Sequence, residues 1–280
     1  MSTKVKKKGS GGKTITYIVL CLYAFTTIYP LVWVINNSFK PSKDVIQHSF
    51  ALPNSFYLDN YVNAFKRMSI GRGYLNSFIV SGSVVVLVIL FGGMAAYVMS
   101  RYNFKTKGFF NMLIVGSLLF PAYVTAIPLF GMLYKMKLTN TYLGLILPQV
   151  AGNLSFAIIV LMGYLVTIPI ELEEAAVVEG CNAWQIYSKV IFPIAKPAFA
   201  TVGIFSFLWS YNDLFMSIII LRSRNMQPIN VLLNEISSQY GTDYGLMASA
   251  ITIIVLPMLC VYLAFQQQIV DGLTAGAVKG

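Results

Sequence analysis

Apolar residues lie in six long runs along the chain, with polar segments between them. Each run is near 20 residues and carries almost no charge, which is the length a helix needs to cross the hydrocarbon core of a bilayer. Apolar and polar residues do not alternate within the runs, so helices are favoured over a β-barrel. The pattern predicts an all-α membrane protein with six transmembrane helices, over residues 15–37, 75–99, 109–134, 143–166, 198–221 and 246–267.

Composition supports a membrane protein and argues against a soluble enzyme. The 280 residues are 57% hydrophobic and 11% charged, whereas a soluble domain carries about 25% charged residues. The net charge of +10 comes from Lys and Arg between the runs, which predicts orientation in the membrane and no nucleic-acid partner. Three scattered cysteines and a single histidine, His48, predict neither a disulfide framework nor a metal site.

The basic residues predict which side of the membrane each loop occupies. The N-terminal segment 1–13 and the short loop 101–107 are basic, and their position favours the cytosol. On the opposite face, the short loops 135–137 and 222–224 carry two basic residues each. The long loop 38–73 carries several more, but long loops count less in setting orientation. The first apolar run is too long for a signal peptide, so we expect an uncleaved span. With six spans, the chain is expected to be a multi-pass protein of the cell membrane. Both termini and the loop 167–197 then lie in the cytosol.

The loop 167–197 holds the densest acidic cluster of the chain, in the stretch ELEEAAVVEG. Pro169 and the following glutamates are typical of a helix N-terminus. Gly180 is suited to end that helix in the left-handed conformation. Asn182 with Gln185 resembles a capping box for a second helix, which Pro193 should end. We therefore predict a helix–Gly–helix elbow, and favour a docking surface over a mere connector because the loop is about 30 residues long.

One acidic residue, Asp213, falls well inside an apolar run. An intramembrane carboxylate is costly and suggests a function. Trp209 and Asn212 share its helical spacing, and a carboxylate, an amide and an aromatic face are the groups that bind sugar hydroxyls and rings. These three residues are a candidate substrate pathway. The alternative is a structural hydrogen-bond network between helices, and the sequence leaves both open.

Prolines and glycines modify two other spans. Pro121 and Pro128 should kink the third span. Gly82, Gly92 and Gly93 in the second span should allow helices to pack closely. Residues 9–14, GSGGKT, imitate a phosphate-binding loop but lack its first glycine and the preceding strand. We therefore expect no nucleotide site in this chain.

Three motifs resemble those of the permease subunits of ABC importers. Glu174, Ala175 and Ala176, then Gly180 and Pro193, match the spacing of the family's EAA loop. Val190 and Phe192 replace its usual Ile and Leu. The segment FLWSYNDLF and the tail GLTAGAVKG are similar to those of the smaller membrane subunit of maltose-type carbohydrate transporters. This resemblance covers nearly the whole chain and implies the type I ABC importer permease fold.

The resemblance implies a sugar importer subunit that is not itself an enzyme. The elbow would dock in a cytosolic ATPase through Glu174, Ala175, Ala176, Gly180 and Pro193. The tail would lie at the ATPase interface, with residues Gly272, Leu273, Thr274, Gly276 and Lys279. These glycines argue against a stable helix there. Partners would be a second, larger permease, two copies of the ATPase and an extracytoplasmic sugar-binding protein toward which the outer loop 222–245 reaches. The chain would bind no cofactor, and ATP with Mg would bind the ATPase.

The expected organisation has three parts. Residues 1–73 form a basic cytosolic N-terminus, the first transmembrane helix and a long outer loop. Residues 74–268 form the transmembrane core with the elbow, and residues 269–280 form a cytosolic tail. A secondary carrier is one alternative, but no second half-repeat is visible. An intramembrane enzyme would need a catalytic pair or metal set within the spans. An importer of amino acids or phosphate is a third alternative, against which the tail and the FLWSYNDLF motif argue.

Overall fold

The computed structural model describes residues 10–121, 123–232 and 243–277, with side chains from residue 13 to residue 267 of these ranges. The long helices are α1 (Ser10–Ser38), α4 (Ile70–Arg101), α7 (Tyr142–Leu165), α11 (Lys196–Asn212) and α13 (Tyr244–Ala277). The shorter helices are α2 (Ser42–Gln47), α3 (Asp59–Arg67), α5 (Lys107–Ser117), α6 (Ala126–Lys135), α8 (Glu171–Val178), α9 (Ala183–Gln185), α10 (Phe192–Ile194) and α12 (Leu214–Ile220), with a π-helix at Ile186–Ile191 and a 3₁₀ turn at Arg224–Met226. The chain divides into two compact units, Met1–Met68 with Glu235–Val255, and Ser69–Asn234 with Leu256–Gly280.

In the first unit, a buried lysine holds the segment that follows α1. Lys40 is almost fully buried, and its ammonium group donates hydrogen bonds to the carbonyl oxygens of His48, at 2.9 Å, and Ala51. The side-chain amide of Asn60 donates to the carbonyl oxygens of Ser38 and Lys40, at 2.9 and 2.8 Å. These bonds satisfy the buried ammonium group of Lys40 and the carbonyl oxygens of two buried residues, Ser38 and Lys40. Most of α1 carries its apolar side chains outward, as expected of a helix that faces lipid or another subunit.

In the second unit, α4, α7 and α11 pack against one another around the core. Val80, Val84 and Val88 recur along one face of α4 at helical spacing and are fully buried. They belong to the same cluster as Leu161 of α7 and Val202 of α11. The alternation of buried and exposed apolar residues on these helices is the pattern of a bundle that is surrounded by lipid.

Four helices are long and apolar enough to span a membrane, over 13–38, 70–101, 142–165 and 244–267. A fifth candidate is a bent pair, 183–194 and 196–212, whose two parts meet at 80°. The third expected span is not one helix, because α5 ends at Ser117 and α6 begins at Ala126. Pro121 lies in the break, where it disfavours helical geometry in the preceding residue. Pro128 lies in the first turn of α6, where a missing N–H costs little.

The glycines of α4 differ in what surrounds them. A Cβ added at Gly93 would lie 2.5 Å from Tyr187 Oη and 2.7 Å from Phe199 Cε1, and one at Gly92 would lie 3.2 Å from Ala157 Cβ. Both positions confirm the expected close packing. Gly82 has no atom within 4 Å of such a Cβ, so the expectation of close packing is wrong there within this chain.

Candidate functional site

The elbow forms as the sequence predicts. Gly180 has a φ of +83°, in the left-handed region. Its N–H donates to the carbonyl oxygen of Val177 and the N–H of Cys181 donates to that of Ala176, both at 2.9 Å. This pair of bonds is the Schellman motif, which satisfies carbonyls at the end of α8. The helix–Gly–helix elbow is therefore confirmed in its first half.

The second half of the elbow starts with the expected capping box. The backbone N–H of Asn182 donates to Gln185 Oε1 at 2.8 Å, and that of Gln185 donates to Asn182 Oδ1 at 2.9 Å. A π-helix at Ile186–Ile191 follows and reaches the segment that contains Pro193. Proline has no N–H to continue the helical ladder. The helical segment ends at Ile194, one residue after Pro193, and the chain turns by 80° into α11.

Two neighbouring glutamates of α8 differ in burial. Glu174 and Ala175 are exposed, whereas Glu173 and Ala176 are only 7% and 6% exposed. Ala176 belongs to the core of this chain. The expectation that both alanines of the motif lie against a partner is therefore wrong for Ala176. Only Ala175 is exposed and accessible to a partner. Helical geometry explains this, because Glu173 and Ala176 are three residues apart and so share one face of α8.

The buried carboxylate of Glu173 is bound by the end of α4. Tyr97 Oη donates to Glu173 Oε2 at 2.9 Å, and Arg101 Nε lies 2.5 Å from Glu173 Oε1 in an ion pair. Arg101 Nη2 also donates to the carbonyl oxygen of Ile168 at 2.9 Å. From the sequence, Arg101 was only a charge that oriented the chain, and Glu173 was one acid of a cluster. The available signal was a basic residue at the last position of a long apolar run.

The second limb of the elbow meets the same end of α4. The ring of Tyr187 lies 5.4 Å from the ring of Tyr97 and 5.7 Å from that of Trp184, measured between centroids. Tyr187 packs over Gly93, where a Cβ would leave it no room. Gly93, Tyr97 and Arg101 follow one another at a spacing of four residues and so form one stripe on α4. Both limbs of the elbow are thus packed on that stripe.

A cavity of about 1050 Å³ lies within the second unit. Trp209, Asn212 and Asp213 all line it, so the structure brings the three candidate pathway residues to one site. The rest of its polar lining comes from residues the sequence did not single out, namely Ser117, Tyr123, Thr125, Gln149, Asn153 and Ser210. Trp209 is 47% exposed and its ring lies 4.8 Å from that of Phe156.

Asp213 interrupts the fifth span and also makes hydrogen bonds. Its Oδ1 accepts from the N–H of Met216 at 3.1 Å, which caps α12. Its Oδ2 accepts from Gln149 Nε2 at 2.7 Å, and Gln149 Oε1 accepts from Ser210 Oγ at 2.6 Å. A structural network between α7 and the α11–α12 break therefore exists. The signal for Gln149 was an amide in the middle of an apolar run.

The described part of the loop after α12 is tied to other elements of the second unit. Asn140 Oδ1 accepts from the N–H groups of Arg222 and Ser223, at 3.0 and 2.8 Å. Asn76 Nδ2 donates to the carbonyl oxygens of Asn225 and Gln227, at 3.0 and 2.9 Å. Residues 233–242 of this loop lie outside the described residues. Its expected reach toward a binding protein stays a prediction.

The tail is helical, which contradicts the expectation of a segment too flexible for a helix. Helix α13 runs from Tyr244 through Ala277 and so includes Gly272, Leu273, Thr274 and Gly276. Lys279 lies outside the described residues. Extending an existing helix by a residue is far easier than nucleating one, and the leucine and alanines of the tail are good helix formers. The continuous helix from the sixth span therefore outweighs the cost of the glycines.

A helical bundle with interrupted spans and a polar-lined cavity is typical of a membrane permease. The family model for the binding-protein-dependent transport system inner membrane component matches residues 88–274, and the chain belongs to this family. It is 34% identical over 277 residues to the probable ABC transporter permease protein YurM of Bacillus subtilis (strain 168), covering 99% of this chain and 92% of that protein. These findings make it a permease component of an ABC transporter.

Two further comparisons bear on substrate class and fold. The chain is 33% identical over 267 residues to the diacetylchitobiose uptake system permease protein NgcG of Streptomyces coelicolor, covering 95% of this chain and 88% of that protein. It also matches the crystal structure of a bacterial ABC transporter that imports the acidic polysaccharide alginate. That match has a TM-score of 0.85 at 22% identity, over 95% of this chain and 99% of that one. The type I ABC importer permease fold is thereby confirmed.

Proposed function

We propose that this protein is a transmembrane subunit of an ATP-driven importer for a disaccharide or oligosaccharide, and that it forms half of the translocation pathway. The observation that carries the sugar class is the similarity, over 95% of the chain, to a diacetylchitobiose uptake permease. The segment FLWSYNDLF and the tail GLTAGAVKG support the same class by their resemblance to carbohydrate permeases.

The cavity supports a sugar substrate. Its volume of about 1050 Å³ is at the upper end of the range for small-molecule sites. Trp209 offers an exposed aromatic face, and Asn212, Asp213 and Gln149 offer an amide, a carboxylate and a second amide. Hydrogen-bonding groups that serve a hydroxylated ligand discriminate strongly against ligands that lack the hydroxyls. Sugar would therefore pass between these polar groups and the aromatic face of Trp209.

The exposed face of the elbow is the proposed docking site for an ATPase. Glu174 and Ala175 are exposed on α8, so Glu174 can pair with a basic residue of a partner while Ala175 permits close approach. Gly180 and Pro193 shape the elbow, and Ala176 supports it from inside. ATP with Mg would bind the ATPase and be hydrolysed there. The full complex would contain a second, larger permease, two ATPases and an extracytoplasmic sugar-binding protein.

Orientation follows from the same proposal. The elbow would face the cytosol, because an ATPase needs cytosolic ATP, and both termini would lie on that side. The tail residues Gly272, Leu273, Thr274, Gly276 and Lys279 would then lie close to the ATPases. The binding protein would deliver sugar on the other side, where the loop 222–245 lies.

Co-purification from native membranes in mild detergent tests this function. A tag on the N-terminus should bring down an ATPase and a second multi-span permease. Glu174→Arg should lose the ATPase and keep the permease, since a like charge would replace the expected ion pair. Glu179→Arg changes the same charge on another exposed position of the elbow and should keep both. Recovery of this chain without any ATPase would contradict the proposal and favour a secondary carrier.

Import assays on the reconstituted complex test the sugar class. Labelled diacetylchitobiose and other labelled disaccharides would be offered with the cognate binding protein. We expect ATP-dependent uptake of at least one of them. Uptake of amino acids or phosphate in place of any sugar would show that the substrate class is wrong while leaving the importer assignment intact.

A further inference from the structure

Contacts between the elbow and α4 indicate a second role of the elbow, which is attachment to a helix of its own chain and is separate from the docking proposed for its exposed residues. The elbow is covalently continuous with α7 and α11. Helix α4 is remote from it in sequence, since Tyr97 precedes Glu173 by 76 residues. Yet α4 contributes the stripe Gly93, Tyr97 and Arg101, and each of these residues contacts the elbow or the turn that leads into it.

We infer that Arg101, Glu173 and Tyr97 are positioning residues that fix the elbow to α4, so that elbow and second span move as one body when ATP drives the complex. This inference rests on the proposed function, because it assumes that an ATPase moves the elbow. Motion of the elbow would then reach α4 as well as α7 and α11, to which the elbow is covalently joined.

Burial is what makes this attachment rigid. The side chains of Arg101 and Glu173 are 11% and 9% exposed, so salt and water weaken their pairing little. Separating the elbow from α4 would leave a carboxylate and a guanidinium group without their partners in a site that excludes most water. Breaking a buried ion pair in this way is strongly unfavourable. The elbow is therefore expected to carry α4 along and not to slide past it.

The attachment holds the elbow at three separate points. Arg101 binds the carbonyl oxygen of Ile168 before α8. Glu173, within α8, binds Tyr97 and Arg101 of α4. Tyr187 packs on Tyr97 and Gly93 from the second limb. These contacts lie before α8, within α8 and on the second limb, so the elbow is held to α4 along its length and not at one end. A rigid attachment of this kind transmits a rigid-body motion.

Distance measurements between two spin labels test the inference directly. One label would be placed at Val178 of α8 and the other at Val98 of α4, which are both exposed, after Cys21, Cys181 and Cys260 are replaced by serine. The assembled complex would be compared without nucleotide and after trapping with ATP and vanadate. We expect the same distance distribution in both states for the otherwise unchanged chain. With Glu173→Gln, we expect the distribution to widen or shift after trapping.

Three outcomes separate the possibilities. A changed distance in the chain that keeps Glu173 would overturn the inference, and so would a Glu173→Gln complex that matches it. Tyr97→Phe removes one hydrogen bond and keeps the ring, so it replaces Glu173→Gln if that variant fails to assemble. Failure of any ATPase to bind the native chain would instead reject the proposed function, and the inference with it.

A functional readout distinguishes positioning from simple stability. In complexes purified through the ATPase, Glu173→Gln should lower the number of sugar molecules imported per ATP hydrolysed by at least about fivefold, the lower end of typical coupling between sites. A purely structural role would lower the amount of complex and leave that ratio unchanged. The control Glu179→Gln, at an exposed position of the same elbow, should leave both quantities unchanged.

Discussion

Asp213 combines two roles that a pair of substitutions can separate. Its carboxylate caps α12 and accepts a hydrogen bond from Gln149, and it also lines the cavity. Asp213→Ala removes the cap, which costs about 0.5–2 kcal/mol. It also leaves Gln149 Nε2 without its partner, which costs about 1–3 kcal/mol when the group stays buried. Because Gln149 faces the cavity, where water can replace the partner, we expect a total near the sum of the two lower limits, about 1.5 kcal/mol.

Asp213→Asn should preserve the structure while removing the charge. The amide oxygen of asparagine can accept from the N–H of Met216 and keep the cap. Its NH₂ group would donate where Asp213 accepted, and a flipped Gln149 amide could accept that bond. The NH₂ group of the flipped Gln149 would then donate to Ser210 Oγ. The cap keeps its direction and the two side-chain hydrogen bonds of Gln149 are retained with their directions reversed, so stability should change by less than about 1 kcal/mol.

Sugar uptake then reports on the charge alone. A hydrogen bond from a sugar hydroxyl is worth about 1.5–3 kcal/mol to a carboxylate and about 0.5–1.5 kcal/mol to a neutral acceptor. The difference of about 1–1.5 kcal/mol corresponds to roughly a 5- to 13-fold loss of uptake efficiency. The assay is ATP-dependent uptake of a labelled disaccharide by proteoliposomes, normalised to assembled complex, with thermal unfolding in detergent measured in parallel. If Asp213→Asn transports as well as the native protein, the carboxylate does not bind sugar and serves only the network.

Three further predictions concern packing on α4, the segment that follows α1 and the C-terminal tail. Gly93→Ala should lower the unfolding temperature in detergent, because overpacking costs about 1–3 kcal/mol. Gly82→Ala should raise that temperature slightly, because alanine favours a helix over glycine by about 1 kcal/mol. Equal shifts in the two variants would contradict the close packing at Gly93. Lys40→Met should remove the hydrogen bonds that tie the carbonyl oxygens of His48 and Ala51 to the buried Lys40, and so speed proteolysis of the segment after α1. Lys43→Met, at an exposed position of the same segment, should not. Deletion of residues 272–280 should lower ATP hydrolysis by the assembled complex, and normal hydrolysis would refute a role for the tail at the ATPases.

Local signals in the sequence were sufficient to predict the elbow. Gly180 and the Asn182–Gln185 box act within a few residues, so their conformations follow from the chain itself. The long apolar runs at 15–37, 75–99, 143–166 and 246–267 were likewise predictable, because each forms one helix. The prediction of a single helix over the third run, 109–134, was wrong, although the sequence shows its two prolines. Hydropathy alone does not show that Pro121 ends a helix and that Pro128 begins one.

Burial of individual polar residues could not be predicted, because it depends on contacts distant in sequence. Gln149 pairs with Asp213 across 64 residues. Tyr97 pairs with Glu173 across 76 residues. Single-sequence patterns carry no information on which helices meet at these points. The same limit explains why Gly82 and Gly93 were interpreted alike, although only Gly93 is closely packed.

The acidic stretch of the elbow serves two surfaces at once. Helix α8 turns by about 100° per residue, so Glu173 and Ala176 share an inward face while Glu174 and Ala175 lie on the exposed side. A carboxylate on the inward face meets the guanidinium group of Arg101 and is neutralised within the chain. A carboxylate on the exposed side has its charge available to a partner. On the proposed function, one turn of helix therefore joins an internal anchor to the surface that would dock an ATPase. A force applied to that surface would reach α4 through the anchor.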